Sequence, residues 1–163
     1  MSLAISIASP QVDDLRHHPL PGPPARHRVL RLNVLLVDDD AADTSLILSV
    51  LKRHPNVSIA HATDAPEFAL RQLATGRLKP DLILLDIHMP RIDGFSFLKK
   101  LRQIPDMASV PVVFLTTSGL ANDVLEYTEG SASLYVIKPD TYFELQTRVS
   151  GVVRRAIAGV WSV

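Results

Sequence analysis

Asp81-Leu82-Ile83-Leu84-Leu85-Asp86, followed by His88-Met89-Pro90 and Gly94, decides how this chain is read. An apolar run ends in a carboxylate and then breaks at a proline and a glycine. The same grammar recurs on both sides. Upstream, Leu32 to Val37 is closed by Asp38-Asp39-Asp40; downstream, Val112-Val113-Phe114-Leu115 ends in Thr116 and Leu134-Tyr135-Val136-Ile137 ends in Lys138. In an open parallel α/β sheet the carboxyl ends of the strands line the crevice that holds ligands, so carboxylates, a hydroxyl and an ammonium are expected to converge there. Carboxylates crowded into one pocket repel one another unless a cation neutralises them. An oxygen-only donor set in a chain without cysteine points to Mg²⁺, which is held by one or two carboxylates together with phosphate oxygens.

Outward from these four runs the pattern alternates strand and helix. Leu32 to Val37, Asp81 to Asp86, Val110 to Thr116 and Leu134 to Ile137 read as strands, short and apolar on both faces as buried parallel strands are. Asp40 is the expected cap of the first helix, with Asp43 favouring its positive end. Asp64-Ala65-Pro66-Glu67 reads as a second helix start, with Asp64 as cap and the helix running to about Thr75. Phe95 to Arg102, Asp123 to Glu129 and Tyr142 to about Gly159 complete five helices against the four strands named, with five strands expected in all. The last helix carries Leu145, Val149, Val152, Val153, Ala156 and Ile157 on one stripe. Val160, Trp161 and Val163 beyond it are expected to stay exposed in a monomer, which suggests a homodimer through the C-terminal helix region.

Over residues 32 to 158 these motifs resemble the receiver domain of bacterial two-component response regulators, the CheY-like family. Thr116 lies 30 residues beyond Asp86, and Lys138 lies 22 beyond Thr116, spacings like the family's. The resemblance implies an α/β fold: a five-stranded parallel sheet with helices on both faces, doubly wound and flavodoxin-like, in strand order 2-1-3-4-5. It implies Asp86 as phospho-accepting residue, with Thr116 and Lys138 contacting the phosphoryl group. Mg²⁺ would be held by Asp38, Asp39, Asp86 and the backbone carbonyl of His88. Thr116 and Tyr135 would form the switch, the orientation of Tyr135 following the phosphorylation state; Asp40 has no place in that set. Leu115-Thr116-Thr117-Ser118 with Asp123, Tyr127, Gly130, Tyr135 and Trp161 further resembles stand-alone regulators associated with phytochrome-type histidine kinases. The partner expected from this is such a kinase or a histidine phosphotransfer protein.

A length of 163 residues and 47% hydrophobic content fit one compact domain, expected over 31–160 without an output module. Seventeen basic residues balance 17 acidic ones, so no overall field attracts DNA or an anionic membrane, and neither is an expected partner. The absence of cysteine fits a reducing compartment, with the cytoplasm expected. The apolar start of the chain lacks a basic region and runs into Pro10, unlike a signal peptide. Pro19, Pro21, Gly22, Pro23 and Pro24 make residues 1–30 an expected flexible arm. His17, His18 and His27 fall in that arm, and His54 and His61 lack partners in the sequence.

Taken singly, an acid triplet after a strand is a solvated turn and cap, and Tyr135 is a packed strand aromatic. Two alternatives compete with the receiver reading. Asp38-x-Asp40 also fits a haloacid-dehalogenase-like phosphohydrolase with Asp38 as nucleophile, but that family expects Thr or Val where this chain has Ala42, and it leaves Asp86 without a role. A receiver-shaped interaction module that is never phosphorylated would not need Asp86, Thr116 and Lys138 together. The expected protein is therefore a phospho-accepting signalling domain rather than an enzyme acting on many substrate molecules.

Overall fold

The computed structural model describes residues 30–117 and 134–161. The expected helix Asp123–Glu129, nearly all of the expected arm and Val163 lie outside these residues. The elements are β1 (Leu32–Val37), α1 (Ala41–Arg53), β2 (Val57–Thr63), α2 (Pro66–Ala74), β3 (Leu82–Asp86), α3 (Gly94–Leu101), a 3₁₀ turn (Pro105–Met107), β4 (Val112–Thr116), β5 (Leu134–Ile137) and α4 (Tyr142–Ala158). The five strands form one sheet in the order β2-β1-β3-β4-β5, and every neighbouring pair is parallel. This is the expected doubly wound arrangement.

Strand alternation sorts the core into two layers. Leu35 and Val37, Ile83 and Leu85, and Val112 and Phe114 face α2 and α3, where Ala69, Leu73, Phe97, Leu98 and Leu101 cover them. Val34 and Leu36, Leu82 and Leu84, and Val113 and Leu115 face α1 and α4, under Ile47, Val50, Leu51, Leu145, Val149, Val152 and Val153. Burying each such aliphatic side chain contributes about 1.5–3 kcal/mol, so the three central strands are fixed from both sides. The doubly apolar reading holds for these three and fails for β5, which is half-buried with Ile137 exposed; β2, which no apolar run in the sequence marks, mixes half-buried and exposed residues. Both lie at the sheet's edges, where one neighbour is missing.

Several boundaries shift for local reasons. β3 starts at Leu82 rather than Asp81, because the Asp81 carboxylate turns to accept the Asn33 N–H at 2.7 Å. β4 starts at Val112: the Val110 carbonyl accepts from the Arg102 guanidinium at 2.8 Å, and Pro111 has no N–H to give a ladder. α2 is capped at Ala65 without a side-chain bond, not at Asp64, since Pro66 occupies the first helical position and moves the cap forward by one. Asp40 does cap α1, accepting the N–H groups of Ala42 and Asp43 at 2.8 and 2.9 Å. Trp161 is half-buried against the α1 and α4 layer rather than exposed, whereas Val160 is exposed as expected. His54 has a partner after all: its Nδ1 accepts the Asn56 N–H at 3.2 Å. Among the described residues no helix is long and apolar enough to cross a membrane.

Candidate functional site

The parallel register brings the carboxyl ends of β1, β3, β4 and β5 to one edge of the sheet, and the residues that end them meet there. Asp38 follows β1. Its N–H donates to the Thr63 carbonyl (3.1 Å), and its Oδ1 accepts the Asp40 N–H (2.9 Å), a short loop that turns the carboxylate inward. The three consecutive acids thus part company. Asp38 is buried at 2% exposure, Asp39 is exposed beside it, and Asp40 is spent on capping α1. Its two N–H bonds, from Asp43 and Ala42, hold the Asp40 carboxyl below the usual range.

Asp86 ends β3, 5% exposed, with its Oδ2 accepting the His88 N–H at 2.7 Å. Gly94 explains how α3 can start so close to it. A Cβ at Gly94 would fall on the Asp86 carbonyl oxygen and crowd Ile87 and Phe114, so glycine is required by close approach. Thr116 ends β4, fully buried, and its carbonyl accepts the Lys138 N–H at 2.7 Å, fastening β5's end to β4's.

The Lys138 ammonium is the hub. Its Nζ lies 2.9 Å from Asp38 Oδ2, 2.8 Å from Asp86 Oδ1 and 2.9 Å from Asp43 Oδ2. An ammonium has three N–H donors, and three carboxylates face it. Burial alone would lower its pKa, but hydrogen bonds to Asp86, Asp38 and Asp43 outweigh that and raise it well above the ordinary lysine value. Asp38 moves the other way for its type: burial pushes its carboxyl up, and proximity to Asp86 adds to this, against the pull of Lys138 and the Asp40 N–H. The Lys138 direction reflects three acceptors on one cation, and the Asp38 direction reflects burial that its share of that cation does not offset. Ligand oxygens of Asp38, Asp39 and Asp86 lie within 4.8 Å of one another, a spacing that a small divalent cation with oxygen ligands would bridge. The donor set therefore fits a hard divalent cation.

Of the residues singled out from the sequence, Asp38, Asp39, Asp86 and Lys138 are brought together, and Thr116 and His88 are tied to them by backbone hydrogen bonds. Tyr135 pairs with Phe114 in the β4–β5 register, two residue pairs before Thr116 and Ile137 end that ladder, and it is half-buried against the α2 and α3 layer. Asp43 was read from the sequence only as a charge at the start of a helix. Its position three residues beyond the cap, one helical step from the strand end, was the available signal.

Sheet order and site together define a class: a doubly wound α/β domain whose switch-point crevice holds acids, one buried hydroxyl residue and one lysine. The response regulator receiver domain family matches residues 34–150, and the chain belongs to that family of two-component signalling domains. It is 34% identical over 124 residues to response regulator Rcp1 of Synechocystis sp., spanning 73% of this chain and 84% of that protein. It is 32% identical over 122 residues to the DNA-binding dual master transcriptional regulator RpaA of Synechocystis sp., spanning 75% of this chain but 49% of RpaA, about half that protein's length. The phosphorylated cyanobacterial phytochrome response regulator RcpA superposes with a TM-score of 0.69 at 27% identity, covering 79% of this chain and 96% of RcpA. The Mn²⁺-bound form of Rcp1 superposes with a TM-score of 0.65 at 32% identity, covering 74% and 91%. Receiver-family membership displaces the haloacid-dehalogenase alternative, in which Asp38 was the nucleophile.

Proposed function

We propose that this receiver domain accepts a phosphoryl group on Asp86. The observation that carries this is a buried strand-end carboxylate with Lys138 Nζ at 2.8 Å on one oxygen and the acids of Asp38 and Asp39 within 4.8 Å. An ionised carboxylate attacks phosphorus without a general base. One Asp86 oxygen forms the new P–O bond as the bond from phosphorus to the donor, a phosphohistidine nitrogen or the oxygen of a small acyl phosphate, breaks and leaves with its electron pair. Charge on the equatorial oxygens is stabilised by the Lys138 ammonium and the Thr116 hydroxyl. Mg²⁺, held by Asp38, Asp39, Asp86 and the backbone carbonyl of His88, supplies the remaining charge neutralisation when bound. Incubation with acetyl phosphate and Mg²⁺ is expected to give an acid-stable, base-labile mass adduct that maps to Asp86 and is absent from Asp86→Asn. An adduct on Asp38, or on the Asn variant, would refute the assignment.

Output then follows from a two-state shift in which Thr116 is drawn to the phosphoryl group and Tyr135 turns toward the vacated space. The half-buried position of Tyr135 beside β4 supports this. Tyr135→Ala is expected to take up phosphate and yet lose most of the phosphorylation-dependent change in partner binding, measured by titration calorimetry. A full response would place the coupling elsewhere. Similarity to Rcp1 and RcpA favours a phytochrome-type histidine kinase in the cytoplasm as donor, with a histidine phosphotransfer protein as the other candidate. Co-incubation with either class of phosphorylated donor separates them by rate. Exposed Val160 and Phe143 on the C-terminal helix region support a homodimer through that surface.

A further inference from the structure

We propose that Asp43 is a positioning residue that keeps Lys138 oriented while phosphate is taken up, an inference that rests on the phospho-accepting reading of Asp86. Three carboxylates hold the ammonium, but they differ in what else they must do. Asp38 and Asp86 belong to the trio whose oxygens gather within 4.8 Å, whereas Asp43 does not. When the phosphoryl group arrives, Asp86 becomes an acyl phosphate and loses its own carboxylate charge, and Asp38 would be engaged by the divalent cation that the trio holds. Two of the three anchors are then committed elsewhere. Asp43 remains, 2.9 Å from Lys138 Nζ. One N–H on Asp43 leaves two free to serve phosphoryl oxygens.

The helix cap also fixes the backbone from which this anchor extends. Asp43 lies in the first turn of α1 and its backbone N–H is fastened to Asp40 Oδ1 at 2.9 Å, so the helix cap sets where its side chain begins. Its side chain is 34% exposed against 0% for Asp38, which leaves water to solvate the oxygen not used on Lys138. The triplet Asp38-Asp39-Asp40 thereby acquires a continuous logic: cleft, cleft edge, cap, and through the cap the placement of Asp43.

The test uses the full chain as wild type, Asp43→Ala and Asp43→Asn. Both variants lose the same charge at the helix start, but Asn keeps an acceptor oxygen. At saturating Mg²⁺ and acetyl phosphate, the phosphorylation rate constant is expected to fall about tenfold in the Ala variant and by clearly less in Asn. The Mg²⁺ dissociation constant from calorimetry should stay within about threefold of wild type, since only a nearby charge is lost. In the protein loaded with Mg²⁺ and a beryllofluoride phosphoryl analogue, which engage Asp38 and Asp86, the ¹⁵N-detected Lys138 ammonium resonance should be visible in wild type and lost to solvent exchange in the Ala variant, which a purely structural contribution of Asp43 would not cause. Equal rates in wild type and Ala, equal losses in Ala and Asn, or a Mg²⁺ affinity that falls in proportion to the rate would each overturn the proposal. An unchanged ammonium resonance in the Ala variant sinks this inference alone; a wild type that takes up no phosphate sinks the reading of Asp86 as well.

Discussion

At the scale of single residues, the site is held together by an imbalance of charge. Lys138 is 9% exposed in its side chain and faces three acids, two of them buried. Removing one partner from a buried ion cluster leaves uncompensated charge, which costs about 3 kcal/mol. Lys138→Met is therefore expected to unfold at lower urea concentration than wild type when divalent ions are chelated. Mg²⁺ should narrow that gap, because a cation bound to the folded state alone adds about 1.4 kcal/mol at ten times its dissociation constant. A gap indifferent to Mg²⁺ would argue that the metal does not sit among Asp38, Asp39 and Asp86. Much of this constellation was legible in the sequence, since each acid, the threonine and the lysine directly follow an apolar run. The part that was not legible is Asp43. A charge in the first turn of a helix has a sufficient local reason to be there, and nothing local announces a partner 95 residues further along the chain.

At the scale of elements, helix ends carry the information that strand runs lack. His54 caps the C-terminus of α1, where the helix dipole favours a cation. Its pKa is nonetheless lowered from the ordinary value of 6.5, first by burial and then by the positive charge of Arg154 on α4. The Nδ1 that accepts from Asn56 must be unprotonated to do so. With the folded value below the unfolded one, the unfolded chain binds the proton more readily, so this contribution is complete above pH 6.5 and fades as pH falls through the folded value. Urea midpoints measured at pH 7.5 and at pH 5 should therefore drop further in wild type than in His54→Gln, which cannot titrate. Parallel losses would contradict it. The misplaced cap of α2 belongs to this scale too. Asp64 is the better capping side chain, but the fixed ring of Pro66 at the first helical position decides where the helix begins, and Ala65 takes the cap without a side-chain bond.

At the scale of the whole molecule, the sheet's two edges set what the domain shows to others. β2 and β5 flank a centre in which every residue of β3 and β4 is buried. Beyond β5, Phe143 on α4 is 76% exposed and Val160, just past the helix, 52%, while Trp161 folds back onto the core. A dimer through this end is expected to appear in light scattering at tens of micromolar protein, roughly the range of weak interfaces, and to weaken in Phe143→Ser. A monomer with and without a phosphoryl analogue would remove the homodimer from the account. The sequence by itself determined four of the five strand runs, the cap at Asp40 and the chemical kinds gathered at the strand ends, because periodicity and punctuation act over a few neighbouring residues; β2, with its mixed half-buried and exposed residues, carries no such run. Only the tertiary structure decided which strands lie at the edges, that Trp161 packs inward, and that Lys138 is shared among Asp38, Asp43 and Asp86. Those outcomes depend on how distant segments are brought within ångströms of one another, and proximity of that kind is created by the packing of both layers against one sheet.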